Sequence, residues 1–130
     1  MELTAPDYVV LIVTDLRRSL EFYVDVLGLT VGHRSGPFAQ LITGITRVSL
    51  YERAALEQSL GRPLVAPDPD APGFELGFKV PDVDAAFAEL KERGVAVARE
   101  PVDRPWGQRA AVFCDPDGHL IEIIEDLPME

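Results

Sequence analysis

Apolar and polar positions along this chain follow two rhythms, and the pair of rhythms is written twice in the same order. Val9-Val10-Leu11-Ile12-Val13 is an unbroken, mostly β-branched run, which suits a strand covered on both faces. Leu16, Leu20, Tyr23 and Leu27 then fall at i, i+4, i+7 and i+11, one stripe of a helix, with Arg17, Arg18 and Glu21 off it. Asp15 stands where an N-cap accepts from the free amides of the first turn, and Gly28 where a helix stops. Leu29 to Arg34, Phe38 to Ile42 and Arg47 to Glu52 read as three more strands, separated by Ser35-Gly36-Pro37 and by Gly44. The predicted order is β-α-β-β-β.

The second pass begins at Glu75 to Val80, where Leu76, Phe78 and Val80 point one way and Glu75, Gly77 and Lys79 the other. Asp82 caps a helix whose stripe is Val83, Phe87 and Leu90, and Gly94 ends it. Val95 to Ala98 and Arg109 to Phe113 read as strands, with Glu100 to Gly107 as a loop between them. Asp115-Pro116-Asp117-Gly118 is a turn, because proline presets φ and glycine is free to take φ above zero. His119 to Glu125 returns as the last strand, and Asp126 to Glu130 is expected to fray. Asp15 maps on Asp82 at an offset of 82 − 15 = 67, and Gly28 on Gly94 at 66, so the second helix is one residue shorter. Two copies are too few for a solenoid and point to twin modules around one shared site. Module one spans about 6–52 and module two about 74–125. The linker, 53–73, holds a short helix ending at Gly61 and then Pro63, Pro67, Pro69 and Pro72, which stiffen it.

Composition narrows the classes of function. Of the 130 residues 47% are hydrophobic, enough for a core and against disorder. The formal charge of −10 argues against sequence-independent nucleic-acid binding and against docking on anionic membranes. The single cysteine, Cys114, permits neither an intramolecular disulfide nor a cysteine-based zinc site. Its neighbours Phe113 and Asp115 supply no cation to activate a thiol. Met1-Glu2-Leu3-Thr4 lacks a basic region and a long apolar run, which reads as no signal peptide, and no apolar run approaches a membrane span. The expected setting is the cytoplasm.

The order Asp15-Leu16, Phe22-Tyr23, Leu27-Gly28-Leu29, followed by a second module closing on Asp115-Pro116-Asp117-Gly118-His119-Leu120-Ile121-Glu122, resembles the vicinal oxygen chelate superfamily. That group includes glyoxalase I, bleomycin-resistance proteins and extradiol dioxygenases. The likeness covers nearly the whole chain, about residues 6 to 125, as one domain. It implies an α+β fold in which two tandem βαβββ modules form a curved mixed sheet around a cavity, helices outside. It also implies a homodimer. The motifs specify fold far better than activity.

In metal-using members four ligands point into the cavity, and the resemblance carries their places to Tyr8, Ser49, Glu75 and Glu122. None is a histidine, the usual partner of zinc, nickel or iron. The expectation is therefore no catalytic metal, although a carboxylate pair leaves room for a hard divalent ion such as Mg²⁺ or Mn²⁺ with waters. His33 and His119 read as surface or turn residues; His119 differs in parity from Glu122.

Strand parity groups Tyr8 with Val10 and Ile12, Glu75 with Gly77 and Lys79, and Glu122 with Leu120 and Ile124. Two readings stand for the acids. Glu75 and Glu122 share a dry pocket as an acid–base pair, one pKa raised, or Glu75 lies in water at a strand edge and Glu122 pairs with Lys79 or Arg109. Phe38, Tyr51 and Trp106 are candidates to roof a flat ligand, with core packing or a dimer seam as the alternative. Arg109 and Gln108 either touch a ligand at the rim or lie in solvent. The leading expectation is a protein that binds or sequesters a small organic molecule. An enzyme, either a divalent-metal or a glutamate-based lyase, isomerase or dioxygenase, is the rival. A purely structural dimer module is the third class.

Overall fold

The β-branched run that opens the chain forms β1 (Tyr8–Val13), and its neighbour is the last strand of the same module, not the next strand in sequence. The structure is a computed structural model that describes residues 1–128. The expected fraying of Met129 and Glu130 lies outside the described residues. Two units emerge, Met1–Pro67 and the chain from Asp68 onward, and each carries a four-stranded sheet of the same topology.

In the first unit the strands are β1, β2 (Thr30–Ser35), β3 (Phe38–Ile42) and β4 (Arg47–Glu52), ordered β1-β4-β3-β2. β1 runs parallel to β4 and the other pairs are antiparallel. The helix α1 (Leu16–Leu20) starts where expected: the Asp15 carboxylate accepts from the Arg18 amide at 3.3 Å. It does not continue as one α-helix. Glu21–Val26 is π-helical, and the Leu27 amide reaches back five residues to the Phe22 carbonyl. Of the expected stripe Leu16 and Tyr23 are buried, whereas Leu20 and Leu27 are only half-buried, and Ser19 and Phe22 are buried beside them. These join Leu11, Val13, Leu41, Val48 and Leu50 in the core. A short α2 (Arg53–Leu60) follows β4 and ends at Gly61, which takes φ +70°.

The second unit repeats the plan with β5 (Glu75–Lys79), α3 (Val83–Glu92), β6 (Val97–Arg104), β7 (Gln108–Cys114) and β8 (Leu120–Asp126), ordered β5-β8-β7-β6. Asp82 caps α3 by accepting from the Ala85 amide at 3.1 Å. Phe113, Ile121, Ile123, Val83 and Leu90 are buried, and the Phe87 ring on α3 lies 5.5 Å from that of Phe113.

Two boundaries differ from expectation. The segment read as a loop, Glu100 to Gly107, is mostly strand, because β6 runs on to Arg104. β6 is an edge strand, so Pro101 withholds an amide at no cost to the ladder, and register shifts absorb the residues that break alternation. The end of the chain is ordered further than expected: Asp126 belongs to β8 and accepts from Lys79 Nζ at 2.8 Å and Gln108 Nε2 at 3.2 Å.

The modules share a further device. Glu52, closing β4, accepts from the Leu16 amide at 3.1 Å, and Glu125, near the end of β8, accepts from the Val83 amide at 2.9 Å. Each final strand thus satisfies one orphan amide of its own module's helix, a bond that ties sheet to helix.

Candidate functional site

Sheet pairing determines which side chains share a face. Val10 pairs with Ser49 in the first unit and Gly77 with Glu122 in the second. Ser49 is therefore the counterpart of Glu122, as the resemblance implied.

The row through Glu122 runs Gly77, Glu122, Val112, Arg99. Arg99 is there because of a bulge. Val97 pairs with Phe113, whose ring faces α3, whereas Arg99 pairs with Val112, one residue on instead of two. The extra residue turns Arg99 to the face away from the helix, where its Nη2 donates to Glu122 Oε2 at 3.4 Å. Gly77 lets the Ile124 side chain close over the strand beside the acid. A Cβ there would lie 2.8 Å from Ile124 Cδ1 and 3.7 Å from Glu122 Oε1.

The Glu122 side chain is 14% exposed, and its carboxyl is held above the usual range. Burial is the larger cause and the negative charge of Glu75 the second, while Arg99 and Arg104 pull the other way. Glu75 itself is exposed at the start of β5. The two acids are thus electrostatically coupled, but one is wet. Neither Lys79 nor Arg109 is the partner of Glu122. Lys79 is held by Asp126. Arg109 is paired with Glu125 on β8 and bonded to Asp84 on α3 at 2.9 Å and Asp103 at 3.0 Å, which places it on the helix-covered face. Lying three positions from Val112, it falls on the opposite face of β7 from Glu122.

Trp106 stands in the β6–β7 turn, 63% exposed. Its ring lies 4.7 Å from the Arg104 guanidinium, and its Nε1 donates to Gln108 Oε1 at 3.0 Å. It covers a cation, not the core. Cys114 has its thiol pushed up by burial and by Asp115, so it is a poor nucleophile. His119 sets its ring 5.7 Å from Phe74.

The register of β8 is set by the Asp115 turn. Asp115 Oδ1 accepts from the amides of Asp117 at 3.0 Å and His119 at 2.8 Å. Gly118, at φ +86°, lies so near Pro69 that an added Cβ would come within 2.5 Å of its Cα. This turn decides that Glu122 faces away from α3.

In the first unit, Ser49 is fully buried and accepts from Gln40 Nε2 at 3.4 Å. Gln40 in turn accepts from Arg47 Nη1 at 3.0 Å, and Arg47 Nη2 donates to Asp7 at 2.6 Å. Phe38 and Tyr51 pair across strands edge to face, centroids 5.5 Å apart, on the Ser49 face with Tyr8, which is 49% exposed. A cleft of about 540 Å³ in this unit is lined by Gly32, His33, Gln40, Ile42 and Arg47 among others. His33, read as a surface residue, lines that cleft.

These donors do not fit a transition-metal ion. The serine hydroxyl is engaged by an amide, tyrosine is a poor ligand when neutral, and a cation at Glu122 would compete with a guanidinium already there. Among the described residues no three His, Cys, Asp or Glu side chains converge as a metal site. Gln40, Arg99 and Arg104 were absent from the sequence-derived site. For Gln40, parity with Phe38 was an available signal. For Arg99 there was none, because regular alternation places it on the wrong face.

Comparison with known proteins agrees with this architecture. The family model described as "Glyoxalase/Bleomycin resistance protein/Dioxygenase superfamily" matches residues 5–123. A probable lactoylglutathione lyase of Synechocystis is 30% identical over 87% of this chain and 88% of its own length. A bleomycin resistance protein of Geobacillus stearothermophilus is 29% identical over 88% of this chain and 92% of its own. The crystal structure of a glyoxalase/bleomycin resistance protein/dioxygenase from Nocardioides superposes with a TM-score of 0.85 at 25% identity, covering 100% of this chain and 88% of that one.

Proposed function

Because the chain belongs to the glyoxalase/bleomycin resistance protein/dioxygenase superfamily, we propose that it is a small-molecule-binding member, holding an organic ligand without a catalytic metal. The observation that carries this reading is the Arg99–Glu122 pair. The carboxylate that the superfamily would offer to a metal faces the Arg99 guanidinium instead, at 3.4 Å. The cleft beside Gln40 and Arg47 supports the same reading from the first unit, as does the name of the bleomycin resistance relative.

A second reading has its own support. A half-buried glutamate with a raised pKa is a candidate general acid or base, and another relative is named a probable lyase. On this reading Glu122 moves the proton and Glu75 tunes it.

The proposal extends to a homodimer in the cytoplasm that uses neither nucleic acid nor membrane as partner. Tyr8, Ile42 and Ile45 are exposed apolar side chains of the first unit and are suited to a seam. No helix among the described residues is long and apolar enough to cross a membrane.

Elemental analysis of protein purified without chelator, alongside a thermal-shift screen of small organic compounds, tests the main reading. The expected result is no stoichiometric divalent metal and a compound that raises the melting temperature. One tightly held metal per chain, lost in Glu122→Ala, overturns it.

A further inference from the structure

We propose that Arg104 and Arg99 form a clamp for an oxyanion, so that the bound molecule carries a carboxylate, phosphate or phosphonate. This deepens the binding reading above and rests on it. The strongest observation is Arg104. Its side chain is half-buried, yet among the described residues its guanidinium has neither a hydrogen bond nor an ion pair. Only the Trp106 ring lies against it. An Arg Nε–H withdrawn from water without an acceptor, as that of Arg104 is, is costly, and natural structures seldom keep one without a use. Arg99 repeats the condition in part. Its Nε is buried without a partner, and its bond to Glu122 is single and long at 3.4 Å. Guanidinium forks grip a free carboxylate with two shorter bonds.

The two cations act on one place. Arg99 and Arg104 both pull the Glu122 carboxyl down, although they sit at opposite ends of β6. Arg104 pairs with Gln108 in regular register, and the shift between Val102 and Arg99 pairs Arg99 with Val112, so both lie on the Glu122 face. Trp106, tied to Gln108, holds the Arg104 plane from the solvent side. The remaining capacity of the pair is for a planar or tetrahedral anion. Glu122 then accepts from a donor elsewhere on the ligand. With a net charge of −10 the protein does not draw anions from afar, so selectivity for them has to come from such a local fork.

Arginine Nε–H resonances of the full chain, followed during titration with benzoate, phenylphosphonate and uncharged benzamide, provide the test. Shielded Nε–H groups exchange slowly enough to be seen. The expected result is that both anions shift the Arg99 and Arg104 signals and benzamide does not. Arg104→Gln and Arg99→Gln should each weaken benzoate by about tenfold or more, with Arg104→Lys recovering part of the loss. Circular dichroism confirms that each variant folds. If benzamide binds as tightly as benzoate, or Arg104→Gln changes benzoate affinity less than about twofold, the clamp is wrong and the binding reading stands. If neither anion binds, the clamp is wrong; the binding reading falls only if the broader thermal-shift screen is also empty.

Discussion

Glu122 is the residue whose surroundings matter most, and its protonation can be followed through stability. Its carboxyl binds a proton more tightly when folded than when unfolded, because burial and Glu75 disfavour the charge. Stability contributed at this position is therefore present in acid and lost as pH rises from the ordinary glutamate range through the raised value. Urea unfolding between about pH 4 and about pH 8 should show that decline in the parent and a flatter profile in Glu122→Gln. Asp126 has the opposite sign. Hydrogen bonds from Lys79 and Gln108 hold its carboxyl low, so its contribution is present at neutral pH and lost as pH falls through the lowered value. Asp126→Asn should be weaker than the parent at neutral pH and indistinguishable from it in strong acid. Arg109→Ala separates the two faces of the second sheet. Its aspartate partners lie on the helix side, so the change should lower the melting temperature and leave ligand affinity untouched. An altered affinity would show that the helix-side assignment misses its role.

At the scale of elements, α1 and α3 each begin from a double cap, an aspartate just before the helix and a glutamate from the module's last strand. Asp82→Ala should cost about 0.5–2 kcal/mol, and Glu125→Ala a further ~1 kcal/mol, both read from denaturant midpoints. A loss in the double mutant smaller than the sum would show that the two caps serve one end jointly. The Asp115 turn is stiffer. Gly118→Ala meets both a left-handed backbone and the Pro69 main chain, so its cost should exceed about 2 kcal/mol. The caps were legible in sequence because an aspartate before an apolar stripe has one favoured use. The π-helical stretch after Leu20 was not, since insertion of a residue into a helix changes hydrogen bonding without changing residue type. The β6 bulges were hidden for the same reason.

At the scale of the whole molecule, a ligand that binds only the folded chain raises its stability by about 2.7 kcal/mol at a hundredfold excess over Kd. A chelator should leave the melting temperature unchanged. A fall in melting temperature on adding chelator, reversed by a divalent ion, would count against the metal-free reading. The repeat itself was readable from the chain alone: Asp15 and Asp82, and Gly28 and Gly94, recur at nearly constant offset. That sufficed to determine two βαβββ units and that Ser49 holds in the first the place Glu122 holds in the second. Local rules carry this far because caps, turns and strand alternation depend on near neighbours. The partner of Glu122 was decided only in three dimensions. Arg99 lies 23 residues away along the chain and on the wrong parity, and it meets the acid only because a bulge in an edge strand turns it over. Whether a charge is paired, buried or free depends on what the folded sheet brings beside it, and no spacing along the sequence encodes that.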